Sequence, residues 1–345
     1  MITLQDIKGR RTPDFNQILK VLKRETPDRY TLFEFFLNNN IFEEVTGKKI
    51  TTNDQEEIQK YIIETYALLG YDYTTLHAGT FHFDNAGTTQ TGASVSMNEG
   101  GVIFDRESFN AYRWNDPREF YNGQLDRLAP YLPQGMKFIV HSWGGVLENV
   151  IKLTGYENLC IMIYEDPELV GDIFGQVGER LKTYYSLIIG NPSVGAIIAN
   201  DDWGFNTQTM LSPDDMRKYV FPHHKRLVDL AHGAGKPIIL HSCGQLDAVY
   251  DDIIDKMGFD GKHSYEDNIL SVEKAYDKLH ERIAVIGGLD LDFVCRSSQE
   301  EIIKRSGDML KKTGGTGYAL GTGNSIPDYV PSGNYYAMIS AAILG

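Results

Sequence analysis

The sequence has few cysteines and no long apolar run. Its three cysteines, Cys160, Cys243 and Cys295, are too few and too scattered for a disulfide framework, so we expect reduced thiols. No apolar run approaches the roughly 20 residues that a membrane-spanning helix needs. The first residues also lack the apolar segment of a secretory signal. These absences predict a soluble, cytoplasmic protein that does not act in a membrane.

Positive charge is also scarce in this chain. There are 33 lysine and arginine residues against 47 aspartate and glutamate residues, which gives a net charge of -14 at pH 7. This excess of negative charge opposes binding to a phosphate backbone, and no basic stripe with interleaved aromatic residues offsets it. We therefore exclude nucleic acid as a partner and expect a small-molecule substrate.

The glycine-rich phosphate turn of a doubly wound sheet is missing as well, since no G-x-G-x-x-G follows the first predicted strand. What the chain does contain is a repeated unit: a short apolar run, a polar cluster and then a helical stretch. The apolar runs lie at residues 30–36, 72–77, 137–140, 195–199, 237–240, 259–262, 283–286 and 318–320. Eight such units predict parallel strands closed into a (β/α)8 TIM barrel, which would occupy residues 1–345 as a single domain.

Helical stretches separate the predicted strands. They lie near residues 53–69, 117–131, 166–190, 212–232, 244–257, 270–280 and 298–312. The segment 81–109 breaks this alternation and carries four glycines, Gly87, Gly92, Gly100 and Gly101. We expect this segment to be an inserted β-hairpin or lid after strand 2.

The most informative run is residues 237–244, of sequence PIILHSCG. Side chains alternate along a strand, so His241 and Cys243 project to the same side. Imidazole and thiolate are two zinc ligands, and a catalytic zinc keeps an open position beside its protein ligands. The alternative is a hydrogen-bonded histidine beside a buried, inert cysteine, and the run alone leaves both interpretations open.

Barrel enzymes place their catalytic groups at the carboxyl ends of the strands. The polar residues that follow the predicted strands are Glu34, His77, His82, His141, Asn200, Asp201, Asp202, His241, Cys243, His263, Glu266, Asp267, Asp290 and Asn324. Asp202 shares parity with Asn200, so we expect Asp202 to face the barrel as a general acid or base or as a third metal ligand. His263 with Glu266 is a candidate proton-transfer pair. The alternative for Asp202 is an acid that caps the following loop, and the alternative for His263 and Glu266 is a solvated loop.

Six motifs in chain order resemble those of the uroporphyrinogen decarboxylase superfamily, which includes the cobalamin-linked methyltransferases of methanogens and acetogens. The motifs are residues 22–28 (LKRETPD), 164–168 (YEDPE), 200–204 (NDDWG), 240–244 (LHSCG), 286–290 (IGGLD) and 321–327 (GTGNSIP). They span nearly the whole chain. The resemblance implies a (β/α)8 barrel.

The resemblance also bears on activity, because the branches use different residues. Porphyrinogen decarboxylases hold substrate carboxylates with an arginine-rich segment after the first strand, whereas residues 33–40 (FEFFLNNN) contain no arginine and include Glu34. Thiol-directed methyltransferases bind zinc through His-x-Cys and a second cysteine in the last loop, where this chain has Asn324. A site completed by Asp202, Glu34, a histidine or Asn324 would be harder, and better suited to an ether or amine than to a thiol.

The sequence therefore predicts a methyltransferase that moves a methyl group between a small methylated substrate and a separate corrinoid protein. In this interpretation His241 and Cys243 hold zinc. The catalytic candidates are Asp202, His263 and Glu266, and the substrate-binding candidates are Glu34, His77, Trp203 and Asn324. A decarboxylase of the uroporphyrinogen type and a non-catalytic ligand-binding relative are the alternatives.

Overall fold

A computed structural model describes residues 1–87 and 97–345 and contains one sheet of eight parallel strands. The strands are β1 (Thr31–Leu32), β2 (Tyr73–His77), β3 (Lys137–His141), β4 (Val194–Asn200), β5 (Ile238–His241), β6 (Gly261–His263), β7 (Ala284–Ile286) and β8 (Tyr318–Leu320). Their order is β1-β8-β7-β6-β5-β4-β3-β2. This arrangement confirms the predicted barrel, and each strand falls within or overlaps a predicted apolar run.

The first strand is shorter than predicted, and side chains bridge the gap between it and β2. After Leu32 the chain leaves the sheet, and the Tyr73 hydroxyl accepts from the Glu34 amide and donates to the Glu34 carbonyl, both at 2.7 Å. The Thr75 hydroxyl donates to the Phe35 carbonyl at 3.1 Å. These bonds satisfy backbone groups that a longer β1 would have paired with β2, and they close the circle.

The last residues of neighbouring strands are level with one another. His77 of β2 pairs in register with His141 of β3, and Asn200 of β4 pairs with His241 of β5, which pairs with His263 of β6. The strands are buried and most of their interior residues are apolar, as expected when helices cover a parallel sheet. The register therefore gathers the polar residues that follow the strands at one end of the barrel.

Helices surround the sheet and include more segments than the sequence predicts. The α-helices are Leu4–Ile7, Asn16–Leu22, Asn39–Thr46, Gln55–Leu68, Arg106–Ala111, Pro117–Phe120, Gln124–Leu128, Val146–Thr154, Tyr156–Glu165, Pro167–Ile188, Pro213–Asp215, Phe221–Gly233, Val272–Leu279, Leu291–Arg296, Gln299–Thr313 and Ser332–Leu344. Short 3-10 turns occur at Ala129–Tyr131 and Asp247–Val249, and wider π-turns at Met216–Val220 and Asp252–Met257. The predicted helix at 244–257 is thus two irregular turns.

The segment after β2 contains no strand in its described parts, residues 81–87 and 97–105. The Ala86 amide donates to the Gly100 carbonyl at 3.0 Å, which brings the two parts together. Gly92 and the rest of residues 88–96 lie outside the described residues, so the hairpin or lid stays a prediction. Across the part of the chain that the structure describes, we find no helix with both the length and the apolar character that crossing a membrane requires.

Candidate active site

Three side chains from β4 and β5 converge at the carboxyl end of the barrel. Asp202, His241 and Cys243 each offer one atom that could bind a metal, and these atoms lie within 4.8 Å of one another. These three candidate ligands are called the metal-ligating group. The Cys243 amide donates to Asp202 Oδ1 at 2.8 Å, which orients the carboxylate. A carboxylate, an imidazole and a thiolate are all ligands that zinc accepts. The residues therefore fit a three-ligand zinc site with a further position open.

The Cys243 thiol lies among polar neighbours. It is 3.5 Å from the Ser264 hydroxyl, and the Asn324 amide donates to it at 3.6 Å. Burial, followed by the charge of Asp202, raises the pKa of Cys243 to about 12. Cysteine binds a metal as the thiolate, so a metal bound here would displace a proton from this thiol. Asn324, predicted to contact substrate, thus touches the sulfur itself.

The His241 ring is held by a second histidine. His241 Nδ1 lies 2.7 Å from His263 Nδ1, and His263 Nε2 lies 3.0 Å from the Thr322 carbonyl oxygen. Burial lowers the pKa of His241 to about 3 and lowers the pKa of His263 well below its ordinary value. Both rings are therefore neutral at physiological pH. Such an outer partner is the usual means of fixing the orientation of a metal-ligating histidine.

The predicted pairing of His263 with Glu266 is wrong. His263 is fully buried, and its two ring nitrogens contact His241 and Thr322. Glu266 lies three residues beyond the end of β6 and is half-buried. Burial and then the charge of Asp290 raise the pKa of Glu266, which is consistent with a carboxyl able to hold a proton at the rim of the site.

Two residues predicted to contact substrate are buried away from the barrel mouth. Glu34 is fully buried, with Oε1 accepting from the Thr322 amide at 2.7 Å and Oε2 from the Thr322 hydroxyl at 2.8 Å. Trp203 is fully buried too, and its indole N–H donates to Asp201 at 2.9 Å. Glu34 is buried because the segment after β1 packs closely against the loop after β8, which contains Thr322. Both side chains bind residues next to the site, Thr322 and Asp201, and do not line its surface.

The adjacent aspartates after β4 point in opposite directions, as their parity requires. Asp202 lies beside His241 and Cys243 in the metal-ligating group, whereas Asp201 is fully buried outside the barrel. Asp201 accepts from four donors at 2.8 to 2.9 Å: the amides of Leu147 and Glu148, the Trp203 indole and His224 Nε2. It thereby caps the helix Val146–Thr154.

The other polar residues predicted at strand ends have local partners. His82 is exposed and 3.0 Å from Asp84. Asp267 forms an ion pair with Arg305 at 2.7 Å, and Asp290 accepts from the Phe293 amide at 3.0 Å as the cap of helix Leu291–Arg296.

Lys262 is a site residue that the sequence pattern does not reveal. Its fully buried ammonium donates to the carbonyls of Ser242, at 2.9 Å, and Ser264, and lies 4.4 Å from the centre of the Tyr265 ring. Burial lowers its pKa to about 8, while the charges of Cys243, Asp202 and Glu266 act in the opposite sense. A lysine at the middle position of the three-residue strand β6 was the one signal available. Its positive charge favours the thiolate form of Cys243.

A cavity of about 610 Å³ opens beside β2 and β3. Its walls include Phe36, His77, His141 and Trp143. The His77 ring centre lies 4.7 Å from that of Trp143, and His77 Nδ1 lies 2.9 Å from the Gly79 carbonyl oxygen. That carbonyl can only accept, so Nδ1 carries the proton and the buried, unpartnered Nε2 presents a lone pair. Phe35 contacts both His141 and His241, with ring centres 5.1 and 4.9 Å apart, so its ring links the wall of the cavity to the candidate ligand His241.

We expect Glu34→Gln to make stability less sensitive to pH. Burial raises the pKa of Glu34 to about 8, against 4.5 for an ordinary glutamate. A carboxyl whose pKa is raised by folding stabilises the fold fully below the unfolded pKa, and this contribution is lost as pH rises through the folded pKa. Between pH 5 and pH 8 the native protein should lose about 3 kcal/mol through this group. Urea unfolding at both pH values measures the difference.

The matched control for that substitution is Glu300→Gln, at an exposed position of helix Gln299–Thr313. An equal loss of stability in Glu34→Gln and the unaltered protein would contradict the burial of an ionisable Glu34.

The family of the chain follows from comparison with known proteins. The family model described as Uroporphyrinogen decarboxylase (URO-D) matches residues 142–343, which is more than half of the sequence. The chain belongs to the uroporphyrinogen decarboxylase family. The matched residues of this chain include β4 to β8 and hence all three residues of the metal-ligating group. Five of the six motifs lie within the matched residues, all but residues 22–28, and the predicted family is thereby confirmed.

Individual members of the family are distant. The uroporphyrinogen decarboxylase of Myxococcus xanthus is 27% identical over 170 residues, covering 48% of this chain and 44% of that protein. The chloroplastic uroporphyrinogen decarboxylase 2 of Oryza sativa is 24% identical over 259 residues, covering 70% and 63%. The chain spans about half the length of most curated relatives it matches. Among solved structures, a methyltransferase from Methanosarcina mazei superimposes with a TM-score of 0.68 at 16% identity, covering 96% of this chain and 98% of that one. This similarity confirms the fold.

Proposed function

We propose that this protein is a methyltransferase that moves a methyl group between a small methylated substrate and a corrinoid carried by a separate protein. The observation that carries the proposal is the convergence of Asp202, His241 and Cys243 at the barrel mouth. The fold shared with a methyltransferase over nearly the whole chain supports it. The absence of arginine from residues 33–40 argues against a polycarboxylate substrate.

In this proposal Asp202, His241 and Cys243 hold zinc, which when bound supplies a Lewis acid for the substrate heteroatom. The donor set has one sulfur, one nitrogen and one oxygen. It is harder than a set with two thiolates, and Asn324 stands where a second cysteine would be. The set therefore suits a methyl ether or methylamine better than a thioether.

Proton delivery falls to Glu266 in this proposal. When the methyl–heteroatom bond breaks, the substrate heteroatom keeps the bonding electron pair and must gain a proton. Burial and the charge of Asp290 raise the pKa of Glu266, so it holds its proton to a higher pH than an ordinary glutamate. Its charge also acts on Lys262, which places it within electrostatic reach of the metal-ligating group.

The substrate itself would lie in the cavity beside β2 and β3. Phe36 and Trp143 offer apolar ring faces, and the His77 Nε2 lone pair offers an acceptor for a hydroxyl or amine hydrogen. Asn324 contacts the Cys243 sulfur and, together with Phe36 of this cavity, lines a neighbouring hollow. A small methylated molecule would thereby have its methyl group directed toward the metal-ligating group.

Decarboxylation of a porphyrinogen is the second candidate, because the matched family model and the curated relatives carry that name. The charges of the cavity oppose it. Among the described residues that line the cavity, Arg127 is the only cation, and it pairs with Glu56 at 2.8 Å. Asp54 and Glu56 add negative charge that would repel substrate carboxylates.

The deciding experiment measures metal content and turnover together. Zinc should be present in the purified protein at about one equivalent, and incubation with methyl ethers or methylamines and free cob(I)alamin should yield methylcobalamin. Carbon dioxide release from a porphyrinogen without any corrinoid would support the decarboxylase instead. Ligand binding with neither reaction would identify a non-catalytic relative. Protein that contains no zinc and is unaffected by its addition would refute the metal site.

A further inference from the structure

A buried line of hydrogen bonds runs from His241 to the end of β8. We propose that His263 is a positioning residue that holds His241 in the tautomer whose Nε2 carries a free lone pair for a metal. The inference rests on the metal site of the proposed function. It replaces the proton-transfer role predicted for His263 with a role exerted entirely through its neighbour.

The direction of each hydrogen bond follows from the groups that it joins. The Thr322 carbonyl oxygen can only accept, so His263 Nε2, 3.0 Å away, carries a hydrogen. His263 is fully buried, and its hydrogen-bond partners are a carbonyl and another imidazole, so no carboxylate compensates a positive ring. The ring is therefore neutral, and its Nδ1 bears a lone pair.

The contact between the two imidazoles then determines the tautomer of His241. The two Nδ1 atoms are 2.7 Å apart, and a contact this short between nitrogens requires one hydrogen between them. His263 Nδ1 can only accept, so His241 Nδ1 donates. In a neutral ring the other nitrogen is unprotonated, and His241 Nε2 is left available as a ligand.

Thr322, at the end of the line remote from His241, is itself held by several hydrogen bonds. Glu34 accepts from both the amide and the hydroxyl of Thr322, and the Gly288 amide donates to the Thr322 carbonyl at 2.9 Å. Gly287 has a φ of +66°, and a Cβ there would lie 2.4 Å from the Thr322 oxygen and 2.9 Å from His263 Nε2. Only glycine lets these groups meet, so the glycine pair after β7 serves the same alignment.

Metal affinity tests the inference. His263→Phe retains a planar ring and removes both nitrogens, and we expect zinc affinity, measured by competition with a chromophoric chelator, to fall about 10 to 100-fold. His263→Gln can accept from His241 and donate to Thr322, and should recover most of the affinity. His224→Gln alters another fully buried histidine, bonded to Asp201, and should lower the unfolding temperature without changing zinc affinity.

The tautomer can be read in the metal-free protein, independently of activity. Long-range proton–nitrogen spectra of histidine-labelled protein should show His241 protonated at Nδ1 and bare at Nε2, and His263→Phe should disturb this pattern. A His241 ring protonated at Nε2 in the unaltered protein would overturn the inference, as would equal zinc affinity in His263→Phe. Failure of the unaltered protein to bind zinc would instead refute the proposed function and the metal role of His263, while the spectrum would still report the tautomer.

Discussion

Cys243→Ser should abolish tight zinc binding and, with it, methyl transfer. Cys243 supplies the only sulfur of the metal-ligating group, and a serine hydroxyl stays protonated at neutral pH where a cysteine can ionise on the metal. Loss of a direct ligand should exceed the roughly 100-fold loss in affinity that marks the upper end for an outer partner. Chelator competition and metal analysis of the purified variant measure the effect.

A matched control separates this effect from a general loss of a thiol. Cys160 lies half-buried on helix Tyr156–Glu165, outside the metal-ligating group, and Cys160→Ser should keep full zinc content. Cobalt substitution adds a signature, because a thiolate-to-cobalt absorption band should be present in Cys160→Ser and missing in Cys243→Ser. A Cys243→Ser protein with one equivalent of tightly held zinc would show that the metal binds elsewhere.

Asp201→Ala should mainly lower the stability of the fold, whereas Asp202→Ala should mainly lower zinc affinity, although the two residues are adjacent. Asp201→Ala removes a buried carboxylate from four donors, including His224, and should destabilise the fold by about 3 to 5 kcal/mol. Asp202→Ala removes one accepted hydrogen bond, from the Cys243 amide, and should cost about 1 kcal/mol in the metal-free protein. Zinc affinity should fall steeply in Asp202→Ala.

Urea unfolding of both metal-free variants, followed by zinc titration of each, tests this exchange of roles. Asp201→Ala should still bind zinc at low temperature, where it remains folded. If Asp202→Ala were the less stable variant and Asp201→Ala the one that loses zinc, the orientation of the two side chains in the structure would be wrong.

The barrel could be predicted from sequence because its strands are short apolar runs, each closed by polar residues. The same two-residue alternation assigned the directions of Asp201 and Asp202 correctly. The helix Val146–Thr154 was not predicted, since Gly145 before it has no side chain to act as a cap. Asp201, more than fifty residues later, supplies that cap. A Cβ on Gly145 would lie 2.2 Å from the Asp201 Cβ. A capping side chain at position 145 would therefore clash with Asp201, which is why the sequence next to the helix contains no capping residue.

Only those contacts of the site that lie within one strand could be predicted from the sequence. His241 and Cys243 are two residues apart on one strand, so their proximity follows from strand geometry. His263 meets His241 because β5 and β6 pair with these residues level, and no pattern in either strand specifies that register. Glu34 was expected near substrate, but its carboxyl group turns toward Thr322 in a loop nearly three hundred residues away.

The division of the barrel end into two halves has an evolutionary consequence. The metal-ligating group comes from the ends of β4 and β5, with its supports on β6 and after β8, whereas the cavity is walled by residues at the ends of β1, β2 and β3 and on the helix Gln55–Leu68. Substitutions at Phe36, His77 or Trp143 can therefore reshape the cavity without touching a ligand. Under the proposed function, a lineage could acquire a new methyl donor through substitutions in the amino-terminal half of the chain, while the candidate metal ligands in the carboxyl-terminal half stay unchanged.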